Sequence, residues 1–338
     1  MMLRYAAAGL LALCGAVQTA QAAQVSVHDP VMAKDGASYY LFSTGPGITF
    51  YSSTNLRDWR PEGRVFAGEP GWARRAAPTF NDHLWAPDVV HHNGKYLLYY
   101  SVSGFGKNTS GIGVTTNTTL DPRAPGYKWE DQGMLLQSVP ARDDWNAIDP
   151  ALVEDDAGTG WMSFGSFWGG LKLVKLNASW TALAEPQEWH TIAQRARGPY
   201  TTDTGAGTAQ IEAPFIFRKN GYYYLFASWD LCCKGKDSTY KVVVGRSKTV
   251  TGPYLDRAGV DMNQGGGTLV IAGDQAWPGV GHNSAYTFDG KDYLVVHAYE
   301  AADKYLQKLK VLDMAWDEDG WPVVDRRALN TYVSKQLN

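Results

Sequence analysis

Short apolar runs alternate with clusters of turn residues along almost the whole chain. Nowhere do apolar positions hold the 3.6-residue period of a long helix. One unit recurs five times: a polar start leading into Pro, an apolar strand, a Gly turn, then an aromatic strand. The copies begin His28-Asp29-Pro30, Trp85-Ala86-Pro87, Ile148-Asp149-Pro150, Glu212-Ala213-Pro214 and His282-Asn283-Ser284. Aligned on Pro, with Ser284 in the last copy, they are spaced by 57, 63, 64 and 70 residues. Asp35-Gly36, Asn93-Gly94, Asn220-Gly221 and Asp289-Gly290 sit between apolar runs, the strongest short hairpin signal. Further strand-like runs follow each hairpin, such as Gly111 to Thr116 and Lys241 to Gly245. About four strands per unit, repeated five times, predict an all-β fold: a single five-bladed β-propeller over residues 23–338. A pair of β-sandwiches would leave the recurring polar position unexplained.

Composition narrows the function. The 338 residues are 44% hydrophobic and only 19% charged, with net charge −3 and no basic tract. A nucleic-acid binder would carry a basic stripe. The 13 Trp, 19 Tyr and 11 Phe favour strands and stacking surfaces for flat ligands. At the N-terminus, Arg4, the apolar stretch Ala6 to Val17 and Ala20-Gln21-Ala22 read as a secretory signal over residues 1–22, cleaved before Ala23. That stretch is too short for a membrane span, so a secreted or periplasmic protein with no membrane partner is expected. Beyond the signal only Cys232 and Cys233 remain. They are a vicinal disulfide or two free thiols, and they lack zinc-site spacing.

In a propeller the first strand of each blade lines the central axis, so the five starts converge. The position before the aligned Pro reads Asp29, Ala86, Asp149, Ala213 and Asn283; the one before that reads His28, Trp85, Ile148, Glu212 and His282. Asp before Pro often serves only a turn. Glu212 is different, because Ile211 and Ala213-Pro214-Phe215 surround it and an unpaired carboxylate there would be costly. Three acids near one axis suit glycoside hydrolysis, in which one carboxyl stays protonated and another stays ionised. Glu212, in an apolar run, is the candidate acid, and Asp29 beside His28 the candidate base.

These motifs resemble glycoside hydrolase family 43, and within it the endo-1,5-α-L-arabinanases. The likeness rests on Val27-His28-Asp29-Pro30, Leu84-Trp85-Ala86-Pro87-Asp88, Trp145-Asn146-Ala147-Ile148-Asp149-Pro150, Gly165 to Gly170, Ile211 to Phe215 and Gly281-His282-Asn283-Ser284, in order. The resemblance implies an inverting, endo-acting secreted enzyme on linear arabinan and arabino-oligosaccharides, working as a monomer. Asp29 would be the general base, Glu212 the general acid and Asp149 the residue that tunes the acid and orients the sugar. Asn146, Ala147, Ile148, Ser166, Phe167 and Trp168 would line the sugar nearest the cleavage point, with Trp85, Gly104 and Phe105 beside it. His282 would hold an axial calcium ion, mostly through water, since Ca²⁺ wants six to eight oxygens; the alternative is a histidine that closes the propeller by hydrogen bonding. Two competitors remain: an exo-acting β-xylosidase or α-L-arabinofuranosidase of the same fold, and a glycan-binding propeller without catalysis. The lectin should repeat its site on every blade, whereas Ala86 and Ala213 interrupt this one.

Overall fold

The computed structural model describes residues 24–198 and 205–336; the signal sequence expected over 1–22 lies outside them. Five antiparallel sheets follow one another along the chain, each with four successive strands running from the axis to the rim. Blade one comprises Val31–Asp35, Ser38–Ser43, Thr49–Ser53 and Asp58–Arg64, and blade two His83–His92, Lys95–Val102, Ser110–Asn117 and Glu130–Ser138. Blade three spans Ala151 to Ala193, blade four Ile211 to Ala272 and blade five Val280 to Val324. The α-helix among the described residues is the single turn Ala73–Ala76, and no helix among them is long and apolar enough to cross a membrane. The propeller expected from the repeats is the fold observed.

Turn chemistry explains the hairpins. In blades two, four and five the first two strands are joined by two-residue loops, Asn93-Gly94, Asn220-Gly221 and Asp289-Gly290, with φ between +49° and +78° throughout. Positive φ at both positions is what a type I′ turn requires, and Asn, Asp and Gly tolerate it. Blade one shifts by a residue: Asp35 pairs with Ser38, so Gly36-Ala37 makes the turn. There Asp35 Oδ2 accepts from Thr119 Oγ1 and Leu120 N–H in blade two.

Apolar packing lies between the blades. Five buried clusters each lie mainly between one neighbouring pair of blades, for example Phe42, Phe50 and Leu98 between blades one and two, or Phe226, Val244 and Leu294 between four and five. The axis is thereby left to polar groups. The ring is closed by the first and last described segments: Ser334–Lys335 pairs parallel to the outer strand of blade one, while Val25 bonds to Val333 and to Leu309 of blade five.

Where each inner strand begins, the backbone departs from regular pairing. In blades two, four and five, two residues face one on the partner strand: Ala86-Pro87, Ala213-Pro214 and His282-Asn283. The first residue of each has φ of +41°, +52° and +51°; Asp29 and Asp149 have +54° and +58°. A left-handed conformation costs a non-glycine residue about 1 kcal/mol or more, so the surrounding structure must hold it. This geometry corrects the alignment of the fifth blade by one residue. His282, not Asn283, stands in the column of Asp29, Ala86, Asp149 and Ala213, and Gly281 stands in the column of Glu212. Asn283 takes the place of Pro there, locked by Ser228 Oγ (3.0 Å) and Ala213 O (3.2 Å), which is why no Pro marked the register.

A buried acid ties blades two and three below the site. Asp88 Oδ2 accepts the Leu152 N–H at 2.7 Å, and burial pushes its carboxyl up to about 7. Below the unfolded value of 3.8 the residue is neutral in both states and costs nothing. As pH rises towards 7 only the unfolded chain ionises, so stability falls across that window by roughly 4 kcal/mol at most. Asp88→Asn keeps the acceptor and removes the titration. Its melting temperature should therefore decline less than the wild type's between pH 4 and pH 7, a difference that calorimetry at several pH values would detect.

Candidate active site

The left-handed residues are held by a ring of hydrogen bonds between neighbouring blades. The amide of Ala86 donates to Thr44 Oγ1 (2.8 Å), that of Asp149 to Ser101 Oγ (3.1 Å), and that of His282 to Ser228 Oγ (2.9 Å). Asp29 donates to His297 Nδ1 (3.2 Å). Each acceptor stands at the end of the second strand of the preceding blade. In blade three that position is Gly165, which offers no side chain, and Asp149 Oδ2 accepts the Ala213 N–H instead at 3.1 Å. Asp149 is thus both a member of the ring and the group that fixes the residue next to Glu212.

Asp29, Asp149, Glu212 and His282 line one cavity of about 410 Å³ at the axis, together with His28 and Thr44. Asp29 is 6% exposed and clasped by imidazoles: its Oδ1 lies 2.7 Å from His28 Nδ1 and 3.0 Å from His282 Nδ1, and Oδ2 accepts from Thr44 Oγ1. Burial alone would raise its carboxyl, but His28 and His282 outweigh burial and hold it far below the usual carboxylate range. Burial also disfavours imidazolium, and it lowers His282 and His297. His28 alone is raised, because the Asp29 carboxylate outweighs its desolvation. Of these three imidazoles, His28 is the one whose charged form Asp29 favours over burial.

Glu212 has the opposite environment. Hydroxyls cap it: Tyr240 Oη donates to Oε1 and Ser166 Oγ to Oε2, both at 2.8 Å. Burial raises its carboxyl against these two hydroxyls, and the charge of Asp29 adds to the rise. Asp149 is raised well above the ordinary value by burial, then by the charges of Glu212 and Asp29. Both carboxyls are raised, so the pair retains a proton to higher pH than an isolated acid would.

Of the residues expected to meet the sugar, Trp85, Gly104, Phe105, Asn146, Ile148, Ser166, Phe167 and Trp168 all line the cavity. Ala147 does not: it is fully buried in the packing between blades two and three, and its N–H donates to Ser138 Oγ. Phe105 is 73% exposed at the rim. Phe167 and Trp168 follow one another at φ +56° and +39°, held by the Phe167 N–H on Ile211 O at 2.8 Å. Gly170 closes that turn at φ +83°, where a Cβ would stand 2.3 Å from Ala193 O. Asn146 is engaged at both ends of its amide, by Ser110 Oγ and Lys107 O, so it stiffens this wall.

The sequence reading missed Thr44, Tyr240, His297 and Tyr299. The first and third had a signal: Thr44, Ser101, Gly165, Ser228 and His297 recur at the interval of the repeat. Tyr240 and Tyr299 lie outside any repeated motif. Cys232 and Cys233 are joined as a disulfide and also line the cavity.

His28, Asp29 and His297 offer three possible metal-ligand atoms within 4.8 Å of one another, with His282 Nδ1 beside Asp29. Asp29 Oδ1 is buried without a well-aligned hydrogen-bond donor. These donors are mostly nitrogens, and the one oxygen belongs to the candidate base. They fit a cation that takes one or two protein ligands and completes its shell with water, not a calcium cage of protein oxygens.

The sequence profile of the Glycosyl hydrolases family 43 matches residues 22–322. The chain belongs to glycoside hydrolase family 43. Among family 43 relatives, it is 63% identical over 327 residues to the extracellular exo-α-(1→5)-L-arabinofuranosidase of Cellvibrio japonicus, covering 97% of this chain and 94% of that one. It is 40% identical to the extracellular endo-α-(1→5)-L-arabinanase 1 of Bacillus subtilis, with 88% and 87% covered. The α-L-arabinanase of Cellvibrio cellulosa, solved with arabinohexaose, superposes with TM-score 0.91 at 64% identity, covering 93% of this chain and 100% of that one. This chain is a glycoside hydrolase built on the five-bladed propeller.

Proposed function

We propose that this glycoside hydrolase cleaves α-1,5-linked L-arabinofuranosyl bonds of linear arabinan and arabino-oligosaccharides by inversion. One observation carries the chemistry: two carboxylates in opposite surroundings share the floor of one cavity. Asp29, clasped by His28, stays ionised and takes the proton of the attacking water. Glu212, capped by hydroxyls, keeps its proton and delivers it to the leaving oxygen. Asp149 shares the pocket with Glu212 and fixes the Ala213 amide beside it. Trp85, Phe105 and Trp168 supply faces on which the sugar rests. A cation at His282, if held mostly through water, would add positive charge near Asp29 and help keep it ionised.

The substrate rests on the names of the relatives. The 63% identical relative is named an exo-acting arabinofuranosidase, which favours release of short products from a chain end. The endo mode expected from the sequence is the second reading, favoured by the 40% identical endo-arabinanase. Extracellular names of both relatives support export. Digestion of linear arabinan with early sizing of products separates the modes. Exo action should give one short product from the outset while the polymer shortens slowly. A spread of intermediate lengths would establish endo action, and no cleavage of arabinan would overturn the substrate.

A further inference from the structure

A loop of blade four lines the cavity together with the wall of blades two and three. It leaves the strand Tyr222–Trp229, turns at Asp230 (φ +68°), and places Leu231, Cys232 and Cys233 on the cavity surface. The loop is tied down by paired bonds between Leu231 and Thr239, and by the Lys234 N–H on Ser238 Oγ. Cys233 N–H donates to Tyr299 Oη at 3.0 Å; that hydroxyl is 3.0 Å from His28 Nε2, and Cys233 Sγ is 3.7 Å from the same nitrogen.

A disulfide is uncharged and has no proton to give. Beside His28 it offers polarisable apolar surface without competing for the imidazole proton, as a thiol would. Its place in the fold says which sugar it meets. The loop springs from Trp229, which pairs with Ile211, the residue before Glu212. The acid must reach the leaving-group oxygen, so the sugar beyond that oxygen runs along this edge of the cavity. Furanose rings present C–H faces that rest on apolar surface.

We propose that the Cys232–Cys233 disulfide, with Leu231, is the platform for the arabinosyl unit on the leaving-group side of the cleaved bond. This inference rests on the reading of the chain as an arabinan hydrolase. The side of the cavity, not only its aromatic wall, then sets selectivity for a sugar leaving group.

The test compares two substrates that differ in that unit: arabinotriose, and α-L-arabinofuranosyl fluoride, which has no leaving-group sugar. In the double variant Cys232→Ser/Cys233→Ser the ratio of kcat/KM for arabinotriose over fluoride should fall roughly tenfold, mostly through KM. Treating the folded wild type with a dithiol should lower the ratio likewise. The dithiol gives two electrons and two protons to the S–S bond, yielding two thiols, and is itself oxidised to a disulfide; alkylation and mass measurement confirm the conversion. The dithiol should leave the double variant's ratio as it was. An unchanged ratio in the reduced wild type, whether both substrates lose equally or neither loses, would overturn the platform, and this arm decides the matter even if the variant fails to fold. A wild type that cleaves the fluoride but not arabinotriose would instead defeat the underlying substrate reading.

Discussion

Glu212→Gln should lower turnover of arabino-oligosaccharides by about 10²–10⁴-fold while leaving a protein as stable as the wild type, or more so, at neutral pH. The loss follows from the leaving group, since a sugar alkoxide needs a proton that an amide cannot give. Aryl arabinosides with activated leaving groups need less protonation, so their loss should be smaller. The stability follows from burial. The Glu212 carboxyl is raised in the folded state, so its ionisation favours the unfolded chain once pH passes the unfolded value of 4.5. Gln removes that cost, and Tyr240 Oη and Ser166 Oγ can rotate to serve its amide. Kinetics on both substrate classes and thermal melts at pH 7 check the two halves separately. Equal losses on both substrates would remove Glu212 from the acid role.

Asp29→Asn should be as damaging to turnover, again by about 10²–10⁴-fold, but with both differences reversed. Water activation is needed whatever leaves, so an activated leaving group should not rescue it. Asp29 is depressed in the folded state, so its contribution to stability is present above the unfolded value of 3.8 and lost as pH falls below it. The variant should therefore melt below the wild type at pH 7. The imidazole partner should respond as well: without the carboxylate that raises it, burial should pull the pKa of His28 down. NMR titration of His28 should show its pKa falling in Asp29→Asn and surviving in Glu212→Gln. A variant that melts like the wild type with His28 unshifted would mean that the pair does not form.

The propeller was legible because each blade repeats its Pro and its hairpin turn, and these are local in sequence. The three carboxylates were legible for the same reason, since each stands at the start of an inner strand. The fifth blade misled by one residue where Asn283 replaces Pro and the bulge is held by side-chain hydrogen bonds instead. Ala147 misled because it lies between two cavity residues, yet its backbone turns towards Ser138 and the interblade core. Tyr240 and Tyr299 act through contacts with other blades, and sequence neighbours carry no trace of those. Cys232 and Cys233 were visible as a pair, but only the fold brings their loop beside His28.

The central claim is that Asp29 activates water directly while Glu212 protonates the leaving oxygen, with no covalent intermediate between them. Proton NMR of a fresh arabinotriose digest tests it most directly, by reading the first-formed reducing-end anomer before mutarotation. Inversion predicts the β-anomer from the α-linked substrate, decaying towards the equilibrium mixture. An α-anomer appearing first would mean retention, with one of the two carboxylates acting as a nucleophile, and would contradict the roles assigned here to both.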